Sequence, residues 1–202
     1  MAGNIKSILE RISGLQDDLE TAVSEKAEKF RYSYEDRKIR FRKEALKWQG
    51  TFRTGLWRYV SGAGILTVLS APVIYGLIIP FVILDIAVVV YQAICFPIYG
   101  IKKVKRSDFI VIDRHHLAYL NALQKLNCVY CGYGNGLLAF VSEVAARTEA
   151  YWCPIKHAGK LAAYHRHYPH FSDYGDAEHF AEDWKRNMAR VRGEDVAEAK
   201  KD

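Results

Sequence analysis

Four residues in the C-terminal half have the types and the spacing of a metal site. Cys128 and Cys131 are separated by two residues, and His157 follows Cys153 by four positions. Two intervening residues let both sulfurs of a pair converge on one ion, and the glycine after Cys131 lets the backbone turn beneath them. Three cysteines with one histidine are a common tetrahedral zinc set. The pattern therefore predicts a structural zinc site made of Cys128, Cys131, Cys153 and His157.

The segment Cys128-x2-Cys131-Gly132 resembles the metal knuckle of rubredoxins and zinc ribbons, and Cys153-Pro154 resembles the second rubredoxin knuckle. The resemblance covers only these two short segments. The fourth ligand would be His157, four residues after Cys153, whereas rubredoxins have a cysteine three residues after the corresponding cysteine. It implies a coordination chemistry, not membership of a family. The alternatives to zinc are iron or an iron–sulfur cluster, which would transfer electrons, a redox dithiol at Cys128 and Cys131, and unrelated reduced cysteines.

A small helical domain has to position these ligands. The pattern of leucines predicts one helix ending near 126 and a second over 137–152, with a glycine-rich turn at 127–136 between them. A straight helix of that length would separate the two halves of the site by about 24 Å. The metal site therefore requires the glycine-rich turn to fold back along the second helix.

The histidines His165, His167 and His170 form a weaker second group. Together with Glu143 or Glu149 they could bind a catalytic metal, because imidazole and carboxylate groups suit zinc and iron. The other interpretation is an amphipathic surface near a membrane.

An apolar run occupies residues 59–101, 43 residues in which Asp85 is the single formal charge. One membrane-spanning helix needs about 20 residues, and Pro80 divides the run in two, so we predict a helical hairpin. The hairpin could cross the bilayer, enter it as a re-entrant wedge, or be the buried core of a soluble protein. Arg58 before the run and Lys102 after it predict that both termini are cytoplasmic. Cytoplasmic cysteines are expected to be reduced or metal-bound.

Asp85 is a candidate functional residue, because burying a carboxylate in a membrane is expensive. It could relay protons or ions, or pair with a partner subunit. The other interpretation is a protonated side chain hydrogen-bonded to Tyr75 or Tyr91.

The N-terminal region contains two patterns. An apolar seam predicts a dimerising coiled coil, or a helix packed on its own chain or on the membrane; it comprises Ile5, Ile8, Ile12, Leu15, Leu19 and Ala22. Residues 29–58 contain ten basic and three acidic residues, a net charge of +7. Aromatic residues on one face predict an amphipathic helix that binds anionic headgroups, which we favour over nucleic acid. The predicted membrane-surface residues are Lys29, Arg31, Arg37, Lys38, Arg40, Arg42, Lys43, Lys47 and Trp48.

The sequence thus predicts an all-α protein with three regions: an N-terminal helical region (1–57), a membrane-embedded hairpin (58–102) and a cytoplasmic metal-knuckle domain (103–202). It contains no nucleotide-binding loop, no Gly-x-Ser-x-Gly and no His-Glu-x2-His motif. The expected function is a membrane-anchored interaction or assembly protein that forms a homo-oligomer or joins a larger membrane complex. The alternatives are a metalloenzyme or iron-containing redox protein at the membrane surface, and a transport or channel subunit that uses Asp85.

Overall fold

The computed structural model describes residues 11, 15, 18–19, 21–30, 32–35 and 38–195, without the side chains of 33–40. The described chain is mostly helical, as predicted. It divides into two compact units. The N-terminal unit comprises the described residues up to Gly64 together with Asp113–Val129, and the helical unit comprises Ile65–Ile112 together with the described residues from Tyr130 onwards.

The N-terminal unit combines short helices with a β-hairpin. Its elements are helix α1, described over 21–29, strands β1 (Tyr32–Glu35) and β2 (Lys38–Phe41), and helices α2 (Lys43–Gly50) and α3 (Leu56–Gly62). The buried Gln49 side chain accepts a hydrogen bond from the Ala118 N–H at 3.1 Å, and the buried Asn121 side chain donates to the Thr54 carbonyl at 3.4 Å. These two bonds hold 113–121 against α2 and the segment after it.

The predicted amphipathic helix over 29–58 is wrong in its first part, where the chain forms the hairpin. Tyr32 pairs with Phe41 in an antiparallel register, and their rings are 5.7 Å apart. Apolar and polar residues alternate along both strand sequences, which is the period of a strand. Aromatic and β-branched residues also favour strands. The expected helix survives only as α2, which contains Trp48.

Half of the predicted coiled-coil seam, Ile5, Ile8 and Ile12, lies outside the described residues. Its described members Leu15, Leu19 and Ala22 are exposed. Dimerisation through this seam therefore stays a prediction.

Most of the apolar run, Ile65–Tyr99, forms one long helix instead of the predicted hairpin. Helices α4 (Ile65–Gly76) and α5 (Ile78–Tyr99) follow one another with a single break at Leu77, whose φ and ψ of −64° and −12° are still helical. Together they form a helix of 35 residues that is long and apolar enough to cross a membrane. Pro80 does not force a turn, because it is the third residue of α5 and the first helical turn needs no N–H donors from its residues.

Helix α6 (Ala122–Trp152) is continuous through the glycine-rich segment, so the turn predicted at 127–136 is wrong. It begins with a reciprocal cap, in which the Asn121 N–H donates to the Gln124 side chain at 3.0 Å and the Gln124 N–H donates to the Asn121 side chain at 2.9 Å. The glycines serve close packing. A β-carbon at Gly136 would lie 2.7 Å from the Phe109 carbonyl oxygen, and one at Gly134 would lie 3.0 Å from the Phe81 ring.

Within the helical unit, α5 and α6 lie side by side and run in the same direction. The Tyr91 hydroxyl lies 2.9 Å from the Thr148 hydroxyl, and further along both helices the rings of Tyr99 and Tyr151 are stacked at 5.1 Å. The chain after α5 returns along it in an extended form. There the Gln92 side chain accepts from the Val104 N–H at 2.9 Å and donates to the Val104 carbonyl at 3.2 Å.

The last helix, α7 (Phe180–Arg192), covers the C-terminal ends of α5 and α6. The Trp184 indole donates to the Tyr151 carbonyl at 2.6 Å, and the Lys102 N–H donates to the Val191 carbonyl at 3.0 Å. The core between these elements contains Phe96, Ile101, Val104, Leu137, Phe140, Val144, Ala150, Phe171 and Val191.

Candidate functional site

The four predicted metal ligands are not brought together. Cys128 and Cys131 lie one turn apart within α6, whereas Cys153 directly follows its last residue. The 22 positions between Cys131 and Cys153 correspond to roughly 33 Å of helix. The His157 N–H donates to the Tyr168 hydroxyl at 2.8 Å. In the described part of the chain no three His, Cys, Asp or Glu residues are placed to bind a metal ion. Zinc and iron remain untested predictions.

Asp85 is paired within its own chain. The Arg106 guanidinium donates to both carboxylate oxygens, Nε to Oδ1 at 2.9 Å and a terminal nitrogen to Oδ2 at 2.6 Å. The Tyr133 hydroxyl adds a third hydrogen bond to Oδ2 at 3.0 Å. Bidentate pairs of this kind are among the strongest charged contacts in proteins. The partners expected from sequence, Tyr75 and Tyr91, are therefore wrong. Arg106 was not singled out from the sequence.

The described membrane-surface residues are exposed, in accordance with a surface role. They are Lys29, Arg42, Lys43, Lys47 and Trp48; Arg31 and Arg37 lie outside the described residues, and the side chains of Lys38 and Arg40 are not described. Trp48 packs edge to face on Phe52 at 5.1 Å, although both side chains are more than half exposed. An exposed aromatic pair beside lysines suits the headgroup layer of a membrane.

Glu143 is the centre of a buried charge cluster in the helical unit. Its side chain is 7% exposed and its Oε1 accepts from Arg147 at 2.8 Å, from Arg166 at 2.5 Å and from the His167 ring at 3.3 Å. Burial acts to raise the pKa of Glu143, but the bonds from His167, Arg147 and Arg166 outweigh it and lower the pKa to about 2. Glu143 is therefore ionised at neutral pH and anchors these cations.

This cluster was foreseen only in part. The sequence suggested that His165 and His167 could meet Glu143 or Glu149, and each histidine does contact one of these carboxylates. The arginines were missed. Arg147 could have been found because it lies four positions after Glu143, on the same helical face. Arg166 approaches from 23 positions away in sequence, and nothing local indicates that contact.

A cleft opens beside this cluster, with His165 on its wall. The Nδ1 of His165 accepts the His167 N–H at 3.2 Å, so its Nε2 carries the proton and donates to Glu149 at 2.9 Å when the ring is neutral. The cleft has a volume of about 340 Å³ and is lined by Ser142, Glu149, His157, Leu161, Ala163, Tyr164, His165 and Tyr168. These side chains can stack on a planar group and exchange hydrogen bonds with it.

The chain matches no family model, no curated protein and no solved structure. Its function has to be inferred from its own residues and their geometry.

Proposed function

We propose that this protein is a membrane-anchored interaction protein. Helix α4–α5 holds it in the bilayer, and the rest of the helical unit lies at the membrane surface. The observation that supports this most directly is the exposure of the apolar helix. Only 6% of the most apolar 18-residue stretch of this helix is buried within the protein. Leu66, for example, is 82% exposed. A continuous apolar surface of this extent is covered by lipid or by another protein.

The placement of the helix follows from its length and its flanks. A helix of 35 residues is roughly 52 Å long, whereas the hydrocarbon core of a bilayer is about 30 Å thick. Basic residues flank both ends, at Arg58 and Lys102, and basic flanks stay cytoplasmic. Since Leu77 keeps helical backbone angles, we infer a helix that lies in the cytoplasmic leaflet without crossing the bilayer, so that both basic flanks stay at the cytoplasmic surface. The Tyr130 hydroxyl donates to the Ile74 carbonyl at 2.6 Å, which satisfies a backbone group near this break.

Anchoring is tested by washing isolated membranes at alkaline pH. The wild-type protein should stay with the membranes. A double variant Ile83→Lys/Ile86→Lys should be released, because each lysine opposes insertion by about 3 kcal/mol and both positions are more than 60% exposed, outside the protein's own core. The matched control is Val111→Lys/Ile112→Lys, at exposed apolar positions outside the helix. Release of the wild type would refute the anchor.

A second copy of the chain is the partner that we propose. Cys131, Asn135 and Leu138 form an exposed and uncharged face on α6, and an asparagine on such a face can hydrogen-bond to a second helix packed against it. Two single-cysteine variants test this, one retaining Cys131 and the other retaining the equally exposed Cys153. Mild oxidation should produce a disulfide-linked dimer only with Cys131. Equal yields from both variants, or no dimer from either, would contradict this interface.

A transport or channel role finds less support. Asp85 is the single acid of the apolar helix, and its charge is neutralised by Arg106 in the same chain.

A further inference from the structure

Two cavities of different character lie side by side along α6 in the helical unit. The first is the polar cleft described above, whose wall includes Ser142 and Glu149 of α6. The second, the apolar groove, has a volume of about 390 Å³ and is lined by Val88, Tyr91, Val141, Val144, Ala145, Thr148, Glu149 and Trp152. Glu149 lines both cavities. One elongated molecule could therefore occupy the cleft with one end and the groove with the other.

The groove is suited to a hydrocarbon chain. Apart from Glu149 at its border, its lining consists of aliphatic and aromatic side chains and two hydroxyl groups, those of Tyr91 and Thr148, which lie 2.9 Å from each other. One wall belongs to α5, whose neighbouring residues Val89 and Val90 are exposed. The groove thus continues the apolar face that meets lipid in the proposed placement, so a lipid chain can reach it directly from the bilayer.

The cleft is suited to a planar polar ring. Tyr164 and Tyr168 are stacked at 5.4 Å, and the His157 ring is stacked on the same Tyr168 at 6.1 Å. Tyr164 is 64% exposed and so has a free face. The Ser142 hydroxyl and the His157 imidazole can donate hydrogen bonds to carbonyl oxygens. Among the residues that the structure describes, no lysine or arginine lines the cleft, whereas phosphate and carboxylate groups are usually bound by such side chains. A neutral ring with hydrogen-bond acceptors fits this lining better than an anionic head.

We propose that the two cavities together bind a quinone-type lipid, a neutral ring with carbonyl oxygens on an apolar chain. The ring stacks on Tyr164 and accepts hydrogen bonds in the cleft, while the chain lies in the groove against Val141 and Ala145. Val88 precedes the end of α5 by 11 residues, or about 16 Å. This distance is close to the thickness of one leaflet. The site therefore lies between the basic end of the helix and the middle of the bilayer, and its polar cleft can lie near water.

Binding is tested with purified full-length protein in nanodiscs of phosphatidylcholine, using decylubiquinone as the probe. Quinones quench tryptophan, and Trp152 lines the groove, so Trp152→Phe identifies its share of the signal. Decylubiquinone should quench Trp152 saturably. The same ring without the decyl chain should need at least about tenfold higher concentrations to quench, and decanol should displace decylubiquinone only at similarly raised concentrations, because each occupies only one of the two cavities.

Paired variants separate the two halves of the site. Tyr164→Ala removes the stacking face and should weaken decylubiquinone binding about fivefold or more, whereas Tyr174→Ala, at a similarly exposed tyrosine outside both cavities, should not. Ala145→Phe should fill the groove and weaken binding of decylubiquinone, with Ala139→Phe as the control on the same helix. Decanol binding as tightly as decylubiquinone, or equal affinities of Tyr164→Ala and Tyr174→Ala, would overturn the proposal. The inference rests on the proposed membrane anchoring in one respect, the path by which the ligand reaches the groove. The alkaline wash tests that anchoring separately.

Discussion

Gly136 lies against the backbone of Phe109, with no space between them for a side chain. A β-carbon at Gly136 would be 2.7 Å from the Phe109 carbonyl oxygen and 2.8 Å from the Ile110 α-carbon. Backbone atoms cannot rotate away from such a contact. We expect Gly136→Ala to destabilise the protein by about 1–3 kcal/mol, measured by thermal unfolding in detergent.

Two other glycines provide the controls for that substitution. A β-carbon at Gly134 would meet only the edge of the Phe81 ring at 3.0 Å. Within a helix, alanine is more favourable than glycine by about 1 kcal/mol of folding free energy. This gain offsets the contact with the ring, so the stability of Gly134→Ala should be within about 1 kcal/mol of the wild type. A β-carbon at Gly159 would have no atom of the described residues within 4 Å, and Gly159→Ala should have little effect. Equal stability of all three variants would show that α6 does not approach Phe109 this closely.

These glycines also explain where sequence reasoning failed. Cysteine pairs followed by glycine suggested a metal-binding turn, but a glycine that permits a turn and a glycine that permits close helix packing look identical in sequence. What distinguishes them is the element on the other side, here Phe81 and Phe109, which are 53 and 27 positions from Gly134 and Gly136. The apolar run and its single acidic residue could be identified directly from the sequence. The Arg106 partner of Asp85 could not, because that contact depends on how the chain returns along α5.

The Asp85–Arg106 pair should show strong coupling in a double-mutant cycle. Removal of one partner leaves the other charge without its counter-ion beside an apolar helix, so Asp85→Leu and Arg106→Leu should each cost about 2 kcal/mol of unfolding free energy. The double variant should recover most of that loss, because replacing both charges by apolar groups removes the unpaired charge. Denaturant unfolding in detergent measures all three. Additive losses would mean that the two residues do not interact.

Glu143 should make stability depend on pH in the acidic range. Its pKa falls from 4.5 to about 2 on folding. A lowered carboxyl pKa contributes stability that is fully present above the unfolded pKa and is lost as pH falls from about 4.5 towards 2. The shift corresponds to about 3 kcal/mol. Glu143→Gln should abolish this part of the pH dependence and be less stable at pH 7, because Arg147 then loses its charged partner. An unchanged slope in that variant would assign the pH dependence to other groups.

The topology of the helix should place both ends on one side of the membrane. In a cysteine-free background, Glu28→Cys and Glu194→Cys introduce one thiol before the apolar helix and one after it. A membrane-impermeant maleimide should label neither from outside intact cells and both after the cells are opened. Labelling of one site from outside would show that the helix crosses the bilayer fully and would exclude the placement within one leaflet that we propose.

The aromatic pair of Trp48 and Phe52 should lie in the headgroup layer of anionic membranes. A variant with Trp48 as its single tryptophan, reconstituted into vesicles that contain brominated lipid, reports this contact as quenching. Each exposed lysine near an anionic surface contributes about 1 kcal/mol, and salt screens that contribution. Quenching should therefore be stronger in anionic than in neutral vesicles and should fall as salt rises. Lys43→Gln/Lys47→Gln should lower both the quenching and its salt dependence, because it removes two exposed charges next to the ring. Trp48 quenching that is the same in neutral and anionic vesicles would mean that the basic residues take no part in membrane binding, and that helix α4–α5 alone holds the protein there.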